Sequence, residues 1–113
     1  MRLLVCGGRD FNDELIAYKV LDDLRESITV IAHGGATGAD SLANLWAIKN
    51  KIPCKVYKAD WNKYGKCAGI LRNIEMLDKF KPTHLLAFPG NRGTADMVER
   101  ATKANVKILE LKW

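Results

Sequence analysis

Apolar residues fall into five short, nearly continuous runs, separated by longer stretches in which they recur at helical spacing. Residues 2–6 read as a strand that ends at a glycine pair. Asn12 or Asp13 is placed to cap a helix running to about Glu26, with Leu15, Ile16, Tyr18, Val20, Leu21 and Leu24 as its apolar positions. Residues 28–33 are apolar almost throughout, as expected of a strand covered on both faces. A helix over 38–50 carries Leu42, Leu45, Trp46 and Ile48, and a shorter strand follows Pro53 at 54–58. A third helix over 66–80 carries Ile70, Leu71, Ile74 and Leu77. Pro82 leads into a strand over 83–88, and a helix over 92–103 and a strand over 106–111 complete the pattern.

Regular strand–helix alternation predicts an α/β fold: a Rossmann-like, three-layer α/β/α arrangement around a five-stranded parallel sheet. The expected strand order is 3-2-1-4-5, reversing between strands one and four. Ligands of such sheets sit beyond the carboxyl ends of the strands, at that reversal. The chain of 113 residues has room for one core, and residues 1–113 read as a single domain with no repeat or linker.

Composition adds little. Hydrophobic residues make up 48% and charged residues 27%, as in ordinary globular proteins. No apolar run approaches the roughly 20 residues of a membrane helix. Gly7-Gly8-Arg9-Asp10 cuts short the apolar start, so a cytoplasmic protein is expected. Cys6, Cys54 and Cys67 are odd in number, far apart and lack C-x-x-C spacing, so neither a disulfide frame nor a zinc knuckle is suggested. His33 and His84 are far apart and without clustered acids, so no metal site is expected. The net charge of +5 suits an anionic partner.

The chemistry gathers in three glycine-bearing loops, each following a strand. They are Cys6-Gly7-Gly8-Arg9-Asp10-Phe11, His33-Gly34-Gly35-Ala36-Thr37-Gly38-Ala39-Asp40 and Phe88-Pro89-Gly90-Asn91-Arg92-Gly93-Thr94-Ala95-Asp96. In the expected order the preceding strands are neighbours, so the loops converge on one pocket. Glycine lets backbone N–H groups approach an anion and tolerates the tight turns a cradle needs. A helix starting there adds free amides and the positive end of its dipole. Thr37 and Thr94 offer hydroxyls, and Arg9 and Arg92 offer bidentate cations. None of the loops is a Walker A loop or a G-x-G-x-x-G fingerprint.

A fourth segment, residues 59–73, brings Arg72 and Asn73 into the early turns of the third helix on the ligand side. Trp61 and Tyr64 are candidates for stacking on a base. Asp10, Asp40 and Asp96 are candidate acids or bases. Asp40 is equally suited to binding loop amides, and His33 is suited either to reaching the pocket or to a buried hydrogen bond.

Taken together, these motifs resemble the SLOG superfamily, the Rossmann-like group that holds the DprA and LOG proteins. The likeness is strongest to its small YspA-like, cpYpsA-related branch. The residues that carry it are G-G-R-D-F at 7–11, H-G-G-A-T-G-A-D at 33–40, A-D-W at 59–61, G-K-C-A-G-I-L-R-N at 65–73 and P-G-N-R-G-T-A-D-M at 89–97. The resemblance implies a pocket for a nucleotide or nucleotide-derived ligand, in small domains that look like ligand sensors or processors, some tied to phage–host conflict. It also implies pairing into dimers, for which Trp46 and Trp113 are candidate contacts.

The LOG enzymes hydrolyse the N-glycosidic bond of nucleoside monophosphates and carry P-G-G-x-G-T-x-x-E. Here Asn91 replaces the second glycine and Met97 stands at the Glu position. Asp96 lies one place earlier, about 100° round the helix.

Three functions are expected in order. The first is binding, as a sensor or sequestering protein, of a nucleotide-like ligand by Gly7, Gly8, Arg9, Gly34, Gly35, Thr37, Gly38, Asp40, Arg72, Asn73, Gly90, Asn91, Arg92, Gly93 and Thr94, with no cofactor required. The second is a nucleotide hydrolase, N-glycosidic or phosphoester, using Asp96, Asp40 or Asp10. The third is DprA-like binding of single-stranded DNA, which the scatter of lysines along the chain disfavours.

Overall fold

The computed structural model describes residues 1–111. Five parallel strands form one sheet: β1 (Arg2–Cys6), β2 (Val30–His33), β3 (Cys54–Val56), β4 (His84–Ala87) and β5 (Lys107–Glu110). Their order is β3-β2-β1-β4-β5, as the alternation predicted, with the reversal between β1 and β4. The register sets Leu3 beside Ile31 on β2 and beside His84 on β4, so β1 is the central strand.

Successive side chains of a strand point to opposite faces. Leu3 and Val5 therefore join Ile31, Leu86 and Phe88 on one face, under α1 (Glu14–Leu24) and α2 (Ala39–Lys49). Leu4, Ala32 and Leu85 line the other face, under α4 (Ala68–Phe80) and α5 (Arg92–Lys103). These four helices are tethered to the sheet through the two cores, and the strand ends between them are left to the loops.

The helices pack through small residues more than the spacing of large ones predicts. In α2 the buried residues are Ala39, Asp40, Ala43, Trp46 and Ala47, while Leu45 and Ile48 are exposed. In α4 they are Ala68, Asn73, Met76 and Phe80, while Ile70, Leu71 and Ile74 are exposed, Ile70 toward the cavity described below. In α1, Leu15 is 85% exposed. Alanine lets a helix backbone approach the sheet closely, so the alanine-bearing face wins the interior. Trp46, expected as a dimer contact, is instead a core residue whose indole N–H donates to Asp22 Oδ1 at 2.8 Å. Trp113 lies outside the described residues.

One further difference matters for the site. The stretch before α4, read as loop running into helix, begins with a short helix, α3 (Trp61–Tyr64), and a 3₁₀ turn over Gly65–Cys67. Asp60 caps α3 by accepting the Lys63 amide at 3.1 Å. Among the described residues, no helix is long and apolar enough to cross a membrane.

Candidate functional site

Beyond the carboxyl ends of β1, β2 and β4 the three glycine loops enclose a cavity of about 750 Å³. Its wall takes Gly7, Gly8, Arg9 and Asp10 from the first loop, and Gly34, Ala36 and Asp40 from the second. Asn91, Arg92, Gly93, Thr94 and Asp96 come from the third, and Trp61, Arg72 and Asn73 from the α3–α4 segment. The loops are packed tightly enough that glycine is required at particular places. A methyl group at Gly7 would overlap Ala39 and Phe88, and one at Gly38 (φ +75°) would overlap the Gly8 and Arg9 carbonyls.

The three loops do different work. In the second loop the amides of residues 34–36 are already bonded inside the protein. Asp40 Oδ2 accepts Gly34 N–H at 3.1 Å and Ala36 N–H at 3.2 Å, and His33 Nδ1 accepts Gly35 N–H at 3.0 Å. His33 Nε2 lies 3.0 Å from Asn44 Oδ1, so the ring carries its proton on Nε2. His33 is buried and serves the loop. The first loop covers the first amide of α2, since Ala39 N–H donates to the Gly8 carbonyl at 3.2 Å, and the Thr37 hydroxyl donates to the Arg9 carbonyl at 3.2 Å. This loop thus frames the cavity. Gly35 and Thr37 border a side groove, and Gly90 borders a shallow depression behind Gly8.

The third loop is open. Asn91 is the N-cap of α5 but its side chain makes no capping bond. The first amides of a helix have no intrahelical acceptor. Those of Arg92, Gly93 and Thr94 start the helix on the cavity wall, and a methyl group at Gly93 would meet nothing within 4 Å.

Arg72 crosses the cavity. Its Nη1 donates to the Gly34 carbonyl at 2.9 Å and its Nε to Asn73 Oδ1 at 3.1 Å. Asn73 in turn donates to the Gly93 carbonyl at 3.2 Å and to Asp96 Oδ2 at 3.0 Å. Arg72 and Asn73 therefore join the second loop to the third. Burial lowers the Arg72 pKa and the charge of Arg9 adds to that, while Asp40 opposes it. Burial raises Asp40 above the usual carboxylate range, against the bonds from Ala36 and Gly34 and the charges of His33 and Arg72. Burial also pushes the Cys6 thiol up, helped by Asp40 and Glu110, so this cavity-lining thiol stays protonated.

Asp96 faces the cavity but is held. Arg100 Nε donates to both of its oxygens, at 3.0 and 2.9 Å, besides the Asn73 bond. Residues 96 and 97 point apart, as the helix offset predicts: Met97 turns inward and is fully buried among Leu4, Leu85 and Ala101, and Asp96 reaches the cavity. Asp10 is exposed on the cavity rim. Among the described residues, no three of His, Cys, Asp or Glu gather as metal ligands would.

Of the two aromatic candidates, Trp61 stands at the cavity with the Arg9 guanidinium 5.1 Å from its ring. Tyr64 is 45% exposed, borders none of these hollows and pairs with Lys63 instead. Sequence reasoning missed Lys66, Gly69, Ile70 and Met76 on the cavity wall and Lys58 in the side groove. The cap signal of Asp60 marks the helix that brings Trp61 to the cavity, with Lys66 in the 3₁₀ turn that follows, and it was legible in the sequence.

The chain is similar to a known family and to a phage protein. Residues 1–64, more than half of it, match the model of the YspA, cpYpsA-related SLOG family. It is 36% identical over 118 residues to the Gene 61 protein of Mycobacterium phage D29, a match covering 96% of this chain and 94% of that protein. The glycine loops, the β1–β4 reversal and these matches agree, and the chain belongs to the YspA, cpYpsA-related SLOG family.

Proposed function

We propose that the cavity binds a nucleotide or nucleotide-derived phosphate ligand, and that the protein acts as a sensor or sequestering module for it. The observation that carries this reading is the open N-terminus of α5 on the wall of a cavity that Arg72 also lines. Free helix amides and the positive dipole end favour an anion there. Arg9, Lys66, Arg72 and Arg92 all line the same cavity. Of its three carboxylates, Asp40 and Asp96 are already engaged by protein donors, so the balance favours an anionic ligand. The Trp61 ring supplies a flat apolar surface for a base. The cavity lies in the volume range of ordinary small-ligand sites, about 300–1,000 Å³.

A thermal-shift screen against mono-, di- and triphosphates, cyclic nucleotides, ADP-ribose and NAD tests the reading. A ligand that binds only the folded state raises the melting temperature by mass action. A shift with unchanged ligand on chromatography supports binding, and no shift across the panel refutes it.

A second reading, hydrolysis of an N-glycosidic bond, rests on Asp96 at the cavity. Against it, both Asp96 oxygens already accept hydrogen bonds, and the acid position of the LOG signature is a buried methionine. Release of free base in the same screen, abolished in Asp96→Asn, would establish it.

A further inference from the structure

A groove of about 310 Å³ adjoins the cavity and shares with it Gly34, Ala36, Arg9, Trp61 and Arg72. We propose that this groove, closed on its outer side by Lys58, is a second anion subsite, and that the ligand is a nucleotide with two separated anionic groups, such as a dinucleotide or a nucleoside bisphosphate. The inference rests on the nucleotide reading above and narrows it.

Lys58 lies two residues past the end of β3, and its chain lies across Gly35. A side chain at position 35 would begin 3.0 Å from Lys58 Cγ and 3.5 Å from Cε. The missing side chain at Gly35, with its φ of +71°, leaves the space that Lys58 fills. Its carbon stem is thus laid along the loop, and the ammonium is delivered to the groove. Among the described residues neither Lys58 nor Arg9 has a carboxylate partner. The acid nearest to Arg72 in charge terms, Asp40, is buried and accepts two amides through one oxygen. Lys58 and Arg9 therefore bring the groove positive charge that no carboxylate pairs, beside an Arg72 whose charge Asp40 partly offsets.

The distribution of charge along the chain points the same way. Of 18 basic and 13 acidic residues, the stretch 49–66 holds six lysines and a single aspartate. Lys49 and Lys51 belong to the end of α2 and the turn after it, so residues 54–66, which form β3, the groove wall, α3 and the 3₁₀ turn, carry Lys55, Lys58, Lys63 and Lys66 against Asp60, three of the net +5 charges. The open α5 amides lie on the opposite side of the Arg9–Arg72 wall, and none of residues 91–94 borders the groove. A single phosphate can occupy one of these two places. A ligand with two separated anions fills both, with its linking sugar or base passing Trp61.

Calorimetric titration tests this with AMP, adenosine 3′,5′-bisphosphate and the dinucleotide pApA on the wild type, Lys58→Met and Lys55→Met. Lys58 and Lys55 are both exposed, so neither change endangers the fold, and Lys55 lies on β3 away from the groove lining. Tenfold or greater tightening of at least one two-anion ligand over AMP is expected. That gain should vanish in Lys58→Met, with AMP unchanged, and should persist in Lys55→Met. If AMP binds but neither two-anion ligand gains, or if Lys58→Met weakens AMP equally, the second subsite is refuted and the nucleotide reading stands. If none of the three binds the folded wild type, both fall together.

Discussion

The guanidinium of Arg72 lies against Gly34, bonded to its carbonyl at 2.9 Å and filling the space in which a side chain at that position would start. The obstacle to a methyl group at 34 is the far end of a flexible side chain, with no strained backbone involved. Gly34→Ala is therefore expected to fold, with Arg72 swung out of its seat. Its nucleotide affinity should fall about as far as that of Arg72→Met, roughly 10-fold or more for a charge-assisted bond. Calorimetry on both variants checks this; wild-type affinity in Gly34→Ala would separate the ligand from the Arg72 seat.

Two other glycines should respond in opposite directions. Gly38→Ala forces a side chain into the Gly8 carbonyl at a positive φ, and should cost at least about 2 kcal/mol in urea unfolding. Gly93→Ala meets nothing and lies within α5, where alanine is preferred by about 0.5–1 kcal/mol. It should raise the melting temperature while weakening nucleotide binding, because the new methyl group crowds an anion at the helix amides. A variant that is both stabler and undiminished in binding would move the phosphate away from α5.

Asp40 links the site to pH. Its folded pKa is raised above the ordinary 3.8, chiefly by burial, so the folded state holds the proton more tightly than the unfolded chain. That contribution to stability is present below the unfolded value and is lost as pH rises through the folded one. Asp40→Asn keeps an oxygen for the Gly34 and Ala36 amides and cannot titrate. Urea unfolding from about pH 3 to pH 8 should show the wild type losing stability relative to Asp40→Asn as pH rises. The opposite slope would mean that the amide bonds and Arg72 outweigh desolvation.

Restoring the LOG acid should fail. Met97→Glu places a carboxylate where the side chain is fully buried among Leu4, Leu85 and Ala101, with no donor there to receive it. A loss of about 3 kcal/mol or more is expected, with no release of base from AMP. Chemical denaturation and chromatography read the two outcomes, and a stable, base-releasing variant would show that the helix can turn this residue to the cavity.

Sheet order and loop convergence were legible because strand–helix alternation and the glycine pairs act locally and leave few topologies open. The identity of Arg72 and Asn73 as cavity residues was legible for the same reason, since both sit in the early turns of a helix that starts at the ligand edge. Helix faces were not. Counting large apolar residues pointed to Leu45 and Ile48 in α2 and to Ile70 and Ile74 in α4, whereas close approach to the sheet selected Ala43, Ala47, Ala68 and Met76. Nor could the sequence divide labour among the loops. Whether the amides of 34–36 are free or held depends on Asp40 folding back onto its own loop, and the open end of α5 depends on Asn91 not capping it.

The central claim, a phosphate seated at the α5 amides of the cavity that Arg72 lines, is tested most directly by following backbone and arginine ¹⁵N–¹H resonances while AMP is added. Saturable shifts are expected, largest at Arg92, Gly93 and Thr94 and at Arg72 Nε, with the amides of Gly34, Gly35 and Ala36 moving little because they are already bonded within the protein. Largest shifts at 34–36, or none at 92–94 while AMP binds elsewhere, would contradict it.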